Sequence, residues 1–241
     1  CIRDRHLKAC IQMEWSLFAK VEKGSMLYNE KLKQDIIQKF GTPCAVIDLD
    51  IVDRNIAHLQ TLCDKAKLAN RPHIKTHKSP ILALRQMEAG ATGITCQKLG
   101  EAEVMIGAGI KDILIATNII GAAKSGKLAA LLRDVSLKVC ADNPTSLNAY
   151  AEAGRAAGRP VTVVIECDTG QKRAGVVTPN EAVALAKIVQ RDPWLEFGGL
   201  MFYPPLDGWP ATQEFFDTTQ AGLNLSLIHI SEPTRQEAIS Y

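Results

Sequence analysis

Arg71-Pro72-His73-Ile74-Lys75-Thr76-His77-Lys78-Ser79-Pro80 packs five basic side chains into ten residues. Taken as a short strand, the segment sends Arg71, His73, Lys75 and His77 to one face and Ile74 and Thr76 to the other. Cations along one face of a buried strand are costly unless that face lines a site. Ser79-Pro80 carries the residue types of a helix N-cap and first helical position, so Lys75 falls near the carboxyl end of a strand that feeds a helix. α/β folds keep their chemistry at such ends. An exposed basic turn accounts for the decapeptide equally well, and these ten residues alone do not separate the two.

Outward from this segment, strand and helix signals alternate at intervals of about 20–35 residues. Strands are expected at 72–76, 93–96, 113–116, 137–141, 161–167 and 197–202, preceded by one at 42–50. Val52, Ile56, Leu59 and Cys63 form one apolar helical stripe. Thr178-Pro179-Asn180-Glu181 reads as a capping box, with Ala182, Leu185, Ala186 and Val189 as the buried stripe behind it, and Asn143-Pro144 repeats the start signal. A further helix is expected around 212–223. The alternation predicts a parallel sheet, open or closed into a barrel, and pattern alone does not choose.

Four segments resemble the D-threonine aldolase and D-serine dehydratase group of pyridoxal-phosphate enzymes, which share an alanine-racemase-type barrel. The decapeptide is similar to that group's Arg-Pro-His-x-Lys-Thr-His-Lys pattern. Thr42-Pro43-Cys44-Ala45-Val46-Ile47-Asp48-Leu49-Asp50, Cys96-Gln97-Lys98-Leu99-Gly100-Glu101-Ala102-Glu103 and Asp168-Thr169-Gly170-Gln171-Lys172-Arg173-Ala174-Gly175-Val176 follow in the same order. The first and last are the specific ones. The resemblance covers roughly 42–205 and implies a partial (β/α)8 barrel of the alanine racemase N-terminal type, with about six of eight strand–helix units present. It implies domains at 38–224 for the incomplete barrel, 1–37 for a helical segment of uncertain origin, and 225–241 for a non-native tail.

The resemblance also implies chemistry. It places the imine with pyridoxal 5'-phosphate on Lys75. Neighbouring cations (Arg71 and His73 on the same face) and desolvation would keep that amine reactive, while Lys78 lies past the strand end. Arg173 is implied near the ring's phenolic oxygen or the substrate carboxylate, where a planar fork suits an anion. Tyr203 follows the last strand and would reach the ring nitrogen or pack at the rim. Gln97 and Asn118 also follow strand ends, and their amides would orient cofactor or substrate. His77 is a candidate for proton transfer, or a histidine satisfied in the turn. The expected activity is that of a lyase on D-3-hydroxy amino acids: retro-aldol cleavage to glycine and an aldehyde first, dehydration second, racemisation third. A divalent metal and a homodimer are implied for the complete protein, the metal's ligands lying outside these residues; none with metal spacing is found in the sequence.

At 241 residues, 46% hydrophobic and 22% charged, the chain has the composition of a globular protein. A formal charge of +2 gives no sign of nucleic acid or an anionic membrane surface, and no apolar run approaches the roughly 20 residues of a membrane helix. Seven widely spaced cysteines without a Cys-x-x-Cys read as buried thiols of a reducing compartment, placing the protein in the cytoplasm. Cys1 in place of methionine suggests that the true start is missing, and Trp15, Leu17, Phe18 and Val21 form an apolar patch near it. The stretch 225–235 resembles a translated sequencing adapter, so a chain holding six of eight units is expected to lack activity. Two rivals remain: a non-catalytic cofactor carrier, and a nucleotide binder suggested by Gly121-Ala122-Ala123-Lys124-Ser125-Gly126-Lys127-Leu128. The latter departs from the phosphate-loop pattern at Leu128, where a magnesium-ligating hydroxyl belongs.

Overall fold

The computed structural model describes residues 29–226, which divide into two units meeting at Leu68 and Ala69. In the first unit, helix α1 (Glu30–Phe40) is capped by Asn29, and α2 (Leu49–Ala66) by Asp48, whose carboxylate accepts from the N–H groups of Asp50 and Ile51. That cap overrides the expected strand at 42–50. The segment joins no β-ladder and turns helical at Leu49, because a strand needs a hydrogen-bonding neighbour whereas a cap needs only its own carboxylate. The stripe on α2 ends in buried Cys63, with Val52, Ile56 and Leu59 half-buried. The Trp15, Leu17, Phe18 and Val21 patch, most of the 1–37 segment and the tail beyond 226 lie outside the described residues.

The second unit is a parallel sheet whose five strands run in sequence order: β1 (Ile94–Cys96), β2 (Asp112–Ile115), β3 (Ser136–Ala141), β4 (Val161–Cys167) and β5 (Leu195–Phe202). Between and around them run α3 (Pro80–Glu88), α4 (Leu99–Gly107), α5 (Ala122–Leu132), α6 (Pro144–Ala157), α7 (Pro179–Arg191) and α8 (Trp209–Ser226). A doubly wound sheet reverses its strand order at a switch point. Here the order never reverses, which is the arrangement of a barrel wall and resolves the choice that pattern left open.

The packing agrees. One apolar cluster, including Ile113, Val139, Val163 and Ile165, lies with Leu128, Leu147 and Leu185 of the helices. A second, separate cluster takes one residue from each of four neighbouring strands, Leu114, Cys140, Val164 and Met201. The helix starts are local and chemical. Thr178 and Glu181 form a reciprocal capping box, Asn143 caps α6 and Ser79 caps α3, each with proline at the first turn. The stripe Ala182, Leu185, Ala186 and Val189 is buried.

Three further expectations need correction. The strand at 72–76 shrinks to a single parallel bridge, His73 with Thr95; Ile74 to His77 then form a turn closed by the Lys78 N–H donating to the Ile74 carbonyl at 2.8 Å. The phosphate-loop lookalike is no loop, since α5 begins at Ala122 and carries Gly126 and Lys127 within it, with Leu128 fully buried. The Lys124 and Ser125 N–H groups both donate to the Gly121 carbonyl, so the segment is the first turns of a helix and not an open cradle. Finally, Cys63, Cys96, Cys140 and Cys167 are buried free thiols, but Cys44 is exposed.

Candidate active site

The turn after His73 decides where each basic side chain of the decapeptide goes. Arg71, two residues below the bridge, is 2% exposed and forms a bidentate pair with Asp112 at the amino-terminal start of β2, at 2.9 and 3.0 Å. It therefore does not share a face with Lys75, as alternation had suggested. Gly93 makes the room: a Cβ there would sit 2.1 Å from Arg71 Nη1.

His73 is half-buried and used on both ring nitrogens. Its Nδ1 accepts the Lys75 backbone N–H at 3.3 Å, so the proton belongs on Nε2, which faces Gln97 Oε1 at 3.2 Å. Burial first, then the Lys75 charge, lowers its pKa and keeps the ring neutral. Gln97 is held in turn, its N–H donating to Glu101 at 2.7 Å, and buried Glu101 pairs with Lys78 at 3.5 Å. The chain Lys78–Glu101–Gln97–His73 fixes the backbone of Lys75 and leaves its side chain exposed.

Lys75 Nζ lies 5.9 Å from the centre of the Tyr203 ring, and the Arg173 guanidinium 4.6 Å from the same ring. The three side chains meet just past the carboxyl ends of the strands. Arg173 is delivered by the loop after β4, which folds back so that Val176 bridges Cys167. Asp168 shapes the loop by accepting from the Gly170 and Lys172 N–H groups. Gly175 sits at φ +106 with the backbone so near that a Cβ would lie 2.6 Å from Asp168 N. Asp142, at the end of β3, accepts from Gly175 N–H at 3.0 Å and from Asn118 at 2.8 Å. Asn118 also accepts from Ser146 at 2.8 Å, and the Tyr150 hydroxyl anchors the neighbouring Ile119 N–H. Asn118 and Gln97 thus serve the framework around the cluster. His77 turns to α3: its Nδ1 accepts from Ser79 N–H at 3.0 Å, and its buried Nε2 lies by Gln86 without a well-formed hydrogen bond.

Glu101, Asp142 and Glu166 escaped the sequence reading. Glu166 had a readable signal, being the one charged residue of β4 and directly following the apolar run Val163-Val164-Ile165. It is 3% exposed, and Arg173 Nη2 lies 3.7 Å from its carboxylate. Burial raises its pKa; Arg173 opposes the rise, while Asp142 and Asp168 add to it. The folded protein therefore binds this proton more tightly than the unfolded chain does. The stability it contributes is complete below the ordinary glutamate value of about 4.3 and is lost as pH rises through the folded value. In thermal melts, Glu166→Gln should gain on the wild type as pH rises from 4 to 8; a variant that falls behind instead would refute this balance. Burial raises the Cys96 thiol to about 12 and pushes those of Cys140 and Cys167 up as well, so none offers a thiolate near neutral pH. Among the described residues no group of three His, Cys, Asp or Glu side chains is arranged to hold a metal ion.

A lysine, an arginine and a tyrosine gather over the carboxyl ends of a barrel wall, a set of side chains that could hold an anionic, carbonyl-bearing ligand. The chain matches the alanine racemase N-terminal domain over residues 47–230 and belongs to that family. It is 39% identical over 169 residues to a D-threonine aldolase of Arthrobacter sp, covering 70% of this chain and 45% of that protein. It is 36% identical over 194 residues to the D-threo-3-hydroxyaspartate dehydratase of Delftia sp. strain HT23, covering 78% and 51%. The crystal structure of D-threonine aldolase from Filomicrobium marinum superposes with a TM-score of 0.74 at 33% identity, over 78% of this chain and 54% of that one. The chain spans about half the length of the curated relatives it matches.

Proposed function

We propose that this chain carries the cofactor half of a pyridoxal-phosphate lyase acting on D-3-hydroxy amino acids, with retro-aldol cleavage to glycine and an aldehyde as its reaction. The observation behind this reading is the convergence of Lys75 and Arg173 on Tyr203. The donor set fits the cofactor: an exposed primary amine for its aldehyde, a half-exposed guanidinium for an anionic oxygen, and an aromatic face beside both. When bound, pyridoxal phosphate supplies an electron sink that weakens the bonds at the substrate α-carbon.

The chain's own residues do the rest. Lys75 would hold the cofactor through its primary amine and would hold or move a proton at Nζ. The His73–Gln97–Glu101 chain fixes its backbone, so the side chain is the part of Lys75 left to move. Arg173 holds an anionic oxygen of cofactor or substrate through its fork, and Tyr203 offers its ring to both cations at the rim. A D-amino acid is the substrate class carried by the names of the aldolase and dehydratase relatives; the relative with the higher identity, an aldolase, favours cleavage over dehydration.

Reduction with borohydride in the presence of pyridoxal phosphate, followed by peptide mapping, tests the assignment. The label should appear on Lys75. A label on Lys78, with Lys75 unmodified, would overturn it.

A further inference from the structure

We propose that Glu166 is a positioning residue: it holds the Arg173 guanidinium in the orientation in which that group receives an anionic oxygen, a role that rests on the cofactor reading of the Lys75 site. Three carboxylates gather where β3 and β4 end, and two are fully engaged by the framework. Asp142 accepts from Asn118, Asn143 and Gly175, and Asp168 from the backbone of its own turn. Glu166 receives none of these donors. Its carboxylate is 4% exposed, and its ion-pair partner is Arg173.

The Arg173 side chain is by contrast 54% exposed, on a loop tip. A long side chain there loses several rotatable bonds' worth of freedom if it is to stay in one place. Two contacts restrain it: the Tyr203 ring, 4.6 Å from the guanidinium to its centre, and the Glu166 carboxylate at 3.7 Å. The pair is 3.7 Å apart, so part of the fork stays available for a ligand. Ionised Glu166 is costly in this buried place, because Asp142 and Asp168 repel it and the thiols of Cys140 and Cys167 offer no compensating charge. A buried charge that costs stability yet faces the site arginine is the arrangement expected of a functional group.

Two measurements on the full-length protein test this. In the first, the cofactor-free protein is treated with phenylglyoxal at pH 8 and Arg173 is followed by peptide mapping, with exposed Arg155 as internal reference. Glu166→Gln should raise the Arg173 rate several-fold and leave Arg155 unchanged, and Glu166→Asp should fall between. The wild-type Arg173 rate, relative to Arg155, should rise at lower pH as Glu166 takes its proton, a step that the glutamine variant lacks. In the second, pyridoxal phosphate is titrated by its absorption band. Glu166→Gln should weaken binding about tenfold while borohydride still labels Lys75. Equal Arg173 rates in both proteins would overturn the pairing, and tighter cofactor binding by the variant would show that Glu166 competes with the anion instead of presenting its partner. Unlabelled Lys75 in the wild type, with Arg173 still shielded by Glu166, would overturn the cofactor reading and uphold the pairing.

Discussion

In the full-length protein, and on the proposed lyase reading, Lys75→Ala is expected to abolish covalent capture of pyridoxal phosphate and to lower turnover of D-threonine or D-3-hydroxyaspartate by at least 10²–10⁴-fold, roughly the range ascribed to one positioned acid–base group. Loss of the attachment amine adds to that figure. Lys75→Arg should be no better, because a guanidinium does not deprotonate under these conditions and cannot serve as a nucleophilic amine. The fold has little stake in the side chain. Lys75 is exposed, and its amine lies 5.9 Å from the centre of the Tyr203 ring. Its backbone, which does matter, is held through the N–H donated to His73 and survives the substitution. Melting temperature should therefore stay within about a degree of wild type, as for most exposed substitutions. Lys78→Ala is the control: it frees Glu101 from an exposed ion pair and should retain cofactor capture. Full activity in Lys75→Ala, or its loss only in Lys78→Ala, would remove Lys75 from the chemistry.

The parts of this molecule legible in the sequence are those whose physics is local. Buried parallel strands are near-continuous apolar runs between turn signals, and β1 to β5 lie where such runs predict them. Helix starts at Asn143, Thr178 and Ser79 depend on one side chain and the next few N–H groups, so their residue types suffice. The illegible parts depend on a distant partner. Alternation put Arg71 and Lys75 on one face, yet Arg71 is claimed by Asp112, 41 residues on, and Lys75 by a turn whose end at Lys78 has φ +50. In the 42–50 segment the local signal is the Asp48 cap, and the apolar residues before it would form a strand only beside a neighbouring ladder. The cluster was legible in its three members through a resemblance, while its buttress was not: Asp142 looks like a turn residue, Glu101 like an ordinary helical surface charge, and their roles arise from long-range hydrogen bonds.

Asp112→Ala should be the most destabilising single charge removal in the second unit, at about 3 kcal/mol. The reason lies in which partner is left behind. Arg71 is 2% exposed, and without the carboxylate its guanidinium stays buried with the Asp112 carbonyl at 3.5 Å as a residual acceptor. Breaking one side of a buried pair typically costs about 3–5 kcal/mol. The lower end applies because the Asp112 side chain is 34% exposed, so solvent lies close enough to relieve part of the stranded charge. Lys138, 3.9 Å from the same carboxylate, is a weaker partner, and Lys138→Ala should cost less than about 1 kcal/mol. For a domain of this size about 3 kcal/mol corresponds to a fall of roughly 6–12 °C in melting temperature. Gly93→Ala should reach a comparable loss by another route, since its methyl group would occupy the space of Arg71 Nη1 and drive the guanidinium off Asp112. Because the pair sits at the amino-terminal end of the sheet, the folded fraction of either variant should still be labelled at Lys75. Arg71→Met combined with Asp112→Ala should recover much of the loss, the buried charge being gone. A melting temperature unchanged in Asp112→Ala, or no recovery in the double variant, would mean that the barrel's amino-terminal end is held by its apolar layers alone.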